Sequence, residues 1–405
     1  MINVAILGFG VVGAGVAEVL SMNEDKISRH MGEEVKVKYI LDIRDFPGSP
    51  FESLVTHDAD QVFGDPDVSV IVETIGGARI AYEYTKRALS AGKCVVTSNK
   101  ELVATHGVEL MQIAKDNGCR YLFEAAVGGG IPIIRPLHRC LAGNKIMRIA
   151  GIVNGTTNYI LTNMRTSGLS YEEVLKQAQE KGYAEQDPTA DVEGIDAQRK
   201  LSILSSIALE GDYVSPDEIH TDGISGITLN DINFATKINC SIKLLAVFSH
   251  MDDKKPSAYV APHFVARKSQ LAPVEGVFNA ILVKGNAVGT TMYYGRGAGK
   301  LPTASAVVGD ILEAALPAER NAYTSDWHFT DASRVTADYD DVVTNIVVRA
   351  KAGSVENLVD KFSAYTVKSV WDGNDCSAVI VFGIAHKDID PLVKSVEGSW
   401  MHYME

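Results

Sequence analysis

The chain opens on Val4-Ala5-Ile6-Leu7, an unbroken apolar run of the length expected for a strand buried on both faces. It passes at once into Gly8-Phe9-Gly10-Val11-Val12-Gly13 and an apolar-periodic helix that reaches about Leu20. The alternation recurs: strands are predicted at Val35 to Leu41, Val68 to Val72, Cys94 to Thr97 and Tyr121 to Ala126, with helices that stop before Gly92 and near Gly118. Buried-type strands separated by helices describe a parallel sheet covered on both faces. The glycine turn is a G-x-G-x-x-G in strand–turn–helix context. Gly8 permits the tight turn, Gly10 lets the backbone approach a pyrophosphate and Gly13 lets helix and strand pack closely, with helix-start amides to hold the phosphates.

From Arg148 to Val153, another strand, the pattern changes. Asn154-Gly155-Thr156-Thr157 opens a helix, a second helix runs from Tyr171 to Lys181, and a third from about Gly194 to Ala208. Ser215-Pro216 restarts another helix. Strands follow at Ser241 to His250, Tyr259 to Arg267, Asn279 to Lys284 and Ala287 to Tyr294, the first two joined through Asp252-Asp253-Lys254-Lys255-Pro256. They predict a largely antiparallel sheet with helices on one face, inserted between the first sheet and a closing helix from about Thr303 to Leu316. After a polar stretch near Ala332 to Asp341, the order is strand Thr344 to Arg349, helix Val355 to Phe362, strands Tyr365 to Trp371 and Ala378 to Ile384, and helix Asp388 to Val396. The fold class is α/β: a Rossmann-type unit, an α+β unit and a small tail.

One stretch concentrates the candidate chemistry. Between Gly182 and Lys200 an acidic loop holds Glu185, Asp187, Asp191 and Glu193, broken by Pro188, and leads into a helix on which Asp196, Lys200, Ile203 and Ile207 share one stripe. A lysine on a burying stripe is either a structural ion pair with Asp196, one turn earlier, or a functional group. The crowded carboxylates favour the second reading, because so dense a like-charged cluster repels itself unless a cation or polar ligand is bound.

Composition narrows the function classes. The 405 residues carry a formal net charge of −13 with scattered lysines and arginines, which argues against a nucleic-acid surface. Five cysteines (Cys94, Cys119, Cys140, Cys240, Cys376) show no CxxC spacing, no leader is read ahead of Ile2, and no apolar run approaches a membrane span. A protein of a reducing cytoplasm is expected, without nucleic-acid or membrane partners. His57, His106, His220, His263 and His328 lack metal-ligand spacing.

In an open parallel sheet ligands bind beyond the carboxyl ends of the strands, which makes Thr74 and Lys100 site candidates. A solvated lysine in a turn is the alternative for Lys100. After the second strand, Asp42 is suited to the ribose hydroxyls of NAD and Arg44 to the extra phosphate of NADP, so both cofactors stay open. Glu124, an acid in an apolar strand, suits either a hard-cation site with nearby carbonyls or a strand end bonded to a loop. Thr156 and Thr157 either face a polar substrate or cap the helix.

Taken in order, Gly8 to Gly13, Thr97-Ser98-Asn99-Lys100, Glu124 to Pro132, Asn154 to Leu161, Gly182 through Lys200, Gly295-Arg296-Gly297-Ala298-Gly299 and Pro302-Thr303-Ala304-Ser305-Ala306 resemble homoserine dehydrogenase over residues 1 to 320. The resemblance implies NAD(P)-dependent interconversion of L-aspartate 4-semialdehyde and L-homoserine, on the route to threonine and methionine. It implies Lys200 as proton donor and Lys100 as a second lysine between nicotinamide and substrate. Glu185 and Asp196 would contact substrate, with Thr157, Tyr183 and Asp191 beside them. Gly8, Phe9, Gly10, Val11, Val12, Gly13, Arg44, Thr74, Ser98, Lys100 and Gly297 would meet the cofactor, NADP ahead of NAD. Glu124 with the carbonyls of Val127, Gly129 and Ile131 would hold sodium. A nucleotide domain over 1–127 closed by a helix over 303–318, a catalytic and dimerisation domain over 128–302 and a homodimer or larger homo-oligomer are implied as well. The tail, 342–405, resembles an ACT regulatory domain of βαββαβ type. Its first loop, Ala350-Lys351-Ala352-Gly353-Ser354, keeps only the glycine of the usual Asp, Pro and Gly, so amino-acid regulation and support of assembly both remain open. Another NAD(P)-dependent reductase and a non-catalytic nucleotide and amino-acid sensor are the competing functions.

Overall fold

The computed structural model describes residues 1–251, 254–317, 325–350, 355–373 and 375–405. The first sheet is wholly parallel: β1 (Ile2–Leu7), β2 (Val35–Leu41), β3 (Val55–Thr56), β4 (Val68–Glu73), β5 (Cys94–Thr97) and β6 (Tyr121–Leu122) lie in the order β3-β2-β1-β4-β5-β6. This is the dinucleotide-fold order, reversing direction beside β1. Its helices are α1 (Val11–Met22), α2 (Glu24–Met31), α3 (Ala59–Gly64), α4 (Arg79–Ser90) and α5 (Lys100–Asp116). Unbroken burial of β1 from Val4 and of β4 from Val70 onward follows from coverage on both faces.

The chain then leaves through α6 (Ile134–His138), β7 (Ile146–Ile152), α7 (Gly155–Ser167), α8 (Tyr171–Glu180), α9 (Thr189–Val192), α10 (Ile195–Ala208), β8 (His220–Thr221) and α11 (Leu229–Lys237). Strands β9 (Cys240–Ser249), β10 (Ser257–Ala266), β11 (Phe278–Gly285) and β12 (Gly289–Arg296) complete an antiparallel array in the order β12-β11-β7-β9-β10. Helix α12 (Lys300–Ala314) returns to the first sheet and packs on α1. Arg120 donates to the carbonyls of Glu313, Ala314 and Leu316, satisfying the orphan acceptors at the end of α12. The close approach of α1 and α12 depends on Gly15, where a Cβ would stand 2.8 Å from the Lys300 carbonyl oxygen.

The tail comprises β13 (Val343–Ala350), α13 (Val355–Lys361), β14 (Thr366–Asp372), β15 (Ser377–Ala385), α14 (His386–Ser395) and β16 (Gly398–Met404). It keeps a core of its own around Val348, Phe362, Val379 and Ile389. Its sheet nevertheless continues the antiparallel array, because β16 pairs in parallel with β10 through His263↔His402, Phe264↔Tyr403 and Val265↔Met404. One ten-stranded mixed sheet results.

Several local expectations are corrected. The strand expected over Tyr121 to Ala126 ends at Leu122, and Glu124–Ala126 forms a 3-10 turn. The backbone turns because the Glu124 amide donates to Asp310 while its carboxylate accepts the amides of Ile133, Ile134 and Arg135. The helix expected at Ser215-Pro216 is a single turn, Pro216–Glu218, since the chain runs directly into β8 beside β10. The short or strongly charged elements α2, α3, α9, α11, β3, β8 and β16 carry too little apolar periodicity to be read from the sequence. Asp252-Asp253 and the tail loop Lys351-Ala352-Gly353-Ser354 lie outside the described residues, as does position 318 of the closing helix.

Replacing Gly15 with alanine forces a Cβ against backbone that cannot rotate away, and should cost about 1–3 kcal/mol of stability. The urea midpoint of the purified variant checks this; an unchanged midpoint would mean that α1 and α12 separate at no cost.

Candidate active site

The glycine turn is built by three contacts. Gly8 takes φ +87° and Gly13 lies so close that a Cβ there would fall 2.0 Å from the Gly8 carbonyl oxygen. The Thr74 hydroxyl reaches across from β4, 2.7 Å from the Gly8 carbonyl oxygen and 3.0 Å from that of Leu7. Gly10, by contrast, faces open space, and α1 starts with no side-chain cap. A surface glycine next to uncapped helix-start amides at Val11 and Val12 fits a pyrophosphate. Phe9 is buried against Phe46 and Phe51, and its amide donates to Asp42 Oδ2 at 2.7 Å.

Asp42 and Arg44 do not compete for one position. Arg44 Nε and Nη2 each donate to Asp42 at 3.0 Å, and the guanidinium stacks on Phe46. The Arg44 hydrogen bonds, aided by the Phe9 amide and opposed by burial, pull the Asp42 carboxyl down to about 2. The pair presents a fixed arginine at the rim of the glycine turn.

The second half of the site forms where the parallel sheet meets α10. Lys100, the first residue of α5, places Nζ 2.9 Å from Asp196 Oδ1; Lys200 Nζ stands 2.6 Å from Asp196 Oδ2 and donates to the Val153 carbonyl oxygen at 2.7 Å. Asn154 Nδ2 adds a bond to Asp196 Oδ2 at 2.9 Å and another to Asp191 Oδ1 at 2.7 Å. Asp196 is buried, which by itself would raise its pKa, but the charges of Lys200 and Lys100 and the bonds from Lys200 and Asn154 hold it well below the carboxylate range. Burial acts on Lys100 in the opposite sense, pulling it down, yet Asp196 and then Asp191 outweigh that and leave the ammonium above its ordinary value. An ion pair between Glu101 and Arg199, at 3.0 Å, runs alongside.

Other expected residues are dispersed. Thr157 is buried with its hydroxyl turned onto Asn154, and the cap of α7 is Asn154 rather than either threonine. Thr156 donates to the Tyr183 carbonyl oxygen, and the exposed Tyr183 ring packs on Tyr159. Glu185 is exposed, Asp187 is occupied by Thr189, and Asp191 is held by Asn154. The carboxylates thus do not converge on one cation: each has its own surroundings, and no cluster of His, Cys, Asp or Glu able to hold a metal occurs among the described residues. Ser98 is half-buried beside Lys100. Gly297 lies against Gly129, where a Cβ would stand 2.4 Å from the Gly297 carbonyl oxygen.

Around Glu124 the carboxylate accepts three amides, whereas no hydrogen bond of the described residues ends on the carbonyl oxygens of the buried Val127, Gly129 or Ile131. Unsatisfied buried carbonyls beside a carboxylate fit a hard cation. Sequence reasoning missed Asn154, read only as part of a hydroxyl-presenting turn. It also passed over Glu73, a buried acid at the end of β4.

Comparison with known proteins agrees with this architecture. The family model described as homoserine dehydrogenase, NAD binding domain, matches residues 8–124, and that described as homoserine dehydrogenase matches residues 132–312. The homoserine dehydrogenase of Bacillus subtilis is 39% identical over 371 residues, covering 89% of this chain and 85% of its own. The crystal structure of a homoserine dehydrogenase from Thiobacillus denitrificans superposes with a TM-score of 0.89 at 35% identity, over 100% of this chain and 98% of the other. A hyperthermophilic archaeal homoserine dehydrogenase in complex with NADPH gives a TM-score of 0.65 at 30% identity, over 77% of this chain and 97% of the other. No helix among the described residues is long and apolar enough to cross a membrane. With a nicotinamide-nucleotide fold, a lysine-flanked aspartate at its edge and these relatives, the chain belongs to the homoserine dehydrogenase family of oxidoreductases.

Proposed function

We propose that the chain interconverts L-homoserine and L-aspartate 4-semialdehyde with NADP or NAD, on the route to threonine and methionine, in the cytoplasm. The observation that carries this reading is Asp196 held between Lys100 and Lys200 at the foot of the glycine turn's sheet. The nicotinamide, when bound, supplies or accepts the hydride. As charge develops on the substrate oxygen, a nearby ammonium stabilises it and delivers a proton. Lys200 suits that part: of its three donors, one goes to Val153 and one to Asp196, leaving one for substrate. Asp196 pairs with both lysines and still has an acceptor site for the substrate hydroxyl or ammonium, because an ionised carboxylate offers about four and three are used. In this reading Lys100 stands between cofactor and substrate. Glu185, Asp191, Tyr183 and Thr157 complete the substrate side in this reading, Thr157 by shaping Asn154.

Arg44, anchored by Asp42, favours NADP over NAD, in keeping with the NADPH carried by the archaeal relative. Glu124 with the free carbonyls of Val127, Gly129 and Ile131 would hold sodium. The units are taken as a nucleotide domain over 1–127 closed by 303–318, a catalytic and dimerisation domain over 128–302 in a homodimer or larger assembly, and an ACT-like tail over 342–405.

Absorbance at the reduced-nicotinamide band, with L-homoserine and either cofactor, tests the reaction; no signal in protein that binds the cofactor would reject it. Lys200→Ala should lower kcat by roughly 10²–10⁴-fold with cofactor affinity little changed, as expected on losing a general acid. A variant keeping a tenth of the normal rate would remove Lys200 from that role. Arg44→Ala should raise KM for NADP while leaving KM for NAD nearly unaltered, and parallel changes in both would deny it a part in phosphate recognition. Glu185→Gln should raise KM for homoserine; a constant KM would count against an ammonium contact.

A further inference from the structure

Strands β4 and β5 end side by side on Glu73 and Thr97, which are register partners. Glu73 is fully buried. Its Oε2 accepts the Thr97 hydroxyl at 2.5 Å and its Oε1 accepts the Ile75 amide at 2.6 Å. Thr97 Oγ1 in turn accepts the Asn99 amide at 2.9 Å. The Asn99 side chain extends the chain of bonds: its carbonyl accepts from Leu102 at 3.0 Å, capping α5, and its amide donates to the carbonyl oxygens of Gly77 at 2.8 Å and Ile75 at 3.3 Å. The next residue is Lys100. One buried carboxyl therefore lies at the root of a relay that fixes the turn after β4 and the start of the helix bearing Lys100.

The relay has a direction. A threonine hydroxyl has one proton; given to Glu73, it leaves its lone pairs facing the Asn99 amide. Both Glu73 oxygens act as acceptors here, an arrangement that suits the ionised carboxyl. A protonated one brings a hydrogen of its own to an oxygen already aimed at by a donor. Among the described residues no lysine, arginine or histidine offsets the charge. The titratable group facing it is Tyr121 on β6, whose buried hydroxyl has no hydrogen-bond partner and whose own ionisation Glu73 opposes.

We propose that Glu73 is a positioning residue for the reaction: through Thr97 and Asn99, its carboxylate holds Lys100 and the Ile75 to Gly77 turn in the geometry that cofactor and substrate meet. The inference rests on the reading of Lys100 as an active-site lysine. Burial pushes the Glu73 carboxyl from its ordinary 4.5 up to about 7, with the Thr97 and Ile75 bonds only partly opposing it. The folded state thus binds a proton more tightly than the unfolded one. The stability contribution is complete below about pH 4.5 and is lost as the pH rises through 7. Activity, which needs the carboxylate, rises over the same range. These opposite slopes distinguish a positioning group from a residue that only packs.

The test compares Glu73→Gln, Thr97→Val, Thr97→Ser and Lys100→Ala in the full chain, reading kcat against pH and melting temperature. Expected are a melting temperature for Glu73→Gln at pH 8 no lower than that of the parent, a kcat lower by roughly 10–100-fold as for sub-ångström misplacement, and loss of the one-proton step near pH 7. Thr97→Val, which cuts the relay with Glu73 in place, should match it, and Thr97→Ser should restore the rate. Should Glu73→Gln fail to fold, Thr97→Val decides. A parent-like kcat and pH profile in Thr97→Val or Glu73→Gln, with Lys100→Ala inactive, would overturn the positioning role alone. Full activity in Lys100→Ala would overturn the reading of Lys100 and this inference with it.

Discussion

Asp196 holds the site together across a seam. Its helix belongs to the antiparallel half of the molecule, while Lys100 starts a helix of the parallel sheet, and the two meet at 2.9 Å. A buried carboxylate is costly unless it is paired, and this one is paired from both sides: Lys200 comes from one turn along its own helix and Lys100 from across the seam. Removing either lysine would leave the buried carboxylate with a single cationic partner. The seam is therefore tied at the point where the proposed reaction needs a hydride acceptor and its proton source in register. The ion pair of Glu101 with Arg199, each next to one of the lysines in sequence, repeats the tie on the outer side.

Much of this was legible because it depends on periodicity. The stripe Asp196, Lys200, Ile203, Ile207 is buried in the structure as its spacing required, and the glycine turn sits between strand and helix as its context required. What the sequence hid has a common character: bonds between side chains and backbone far apart in the chain. Glu124 looked like a strand residue, because nothing local tells that its carboxylate collects three amides from residues nine to eleven positions on. The carboxylates of the acidic loop looked like one cluster because they are neighbours in sequence. In three dimensions Asp191 turns inward to Asn154 and Asp187 caps its own turn at Thr189. Nor did the tail's pattern disclose that β16 would dock on β10, since parallel pairing across more than a hundred residues leaves no local trace.

That docking brings a second buried polar feature. His263 and His402 are register partners on β10 and β16 and stack together with Tyr259, while Tyr339 stacks on His220 and bonds His402 Nε2 at 3.0 Å. Burial pushes His263 down to about 3 and His402 well below its ordinary value, so the rings stay neutral and each nitrogen can be matched to a hydroxyl or carbonyl. Protonating them would place charge in an apolar seam. The joint between the tail and the antiparallel array thus carries buried neutral imidazoles at His263 and His402, with an ion pair between Arg349 and Asp231 at 2.9 Å beside them.

Buried carboxyls within the parallel sheet's orbit show why placement, rather than burial, decides charge. Glu73 and Asp196 are both almost wholly removed from water. Asp196, with two ammonium groups within 3 Å, lies far below the carboxylate range; Glu73, with a hydroxyl and an amide but no cation, lies near neutrality. Two groups at neighbouring edges of one site are thereby held in different states at the same pH, one fixed and one poised. A fixed anion suits a group that pairs with two lysines from opposite sides. A poised one suits a group set behind the backbone, where a change in its charge alters the alignment of Lys100 without touching substrate.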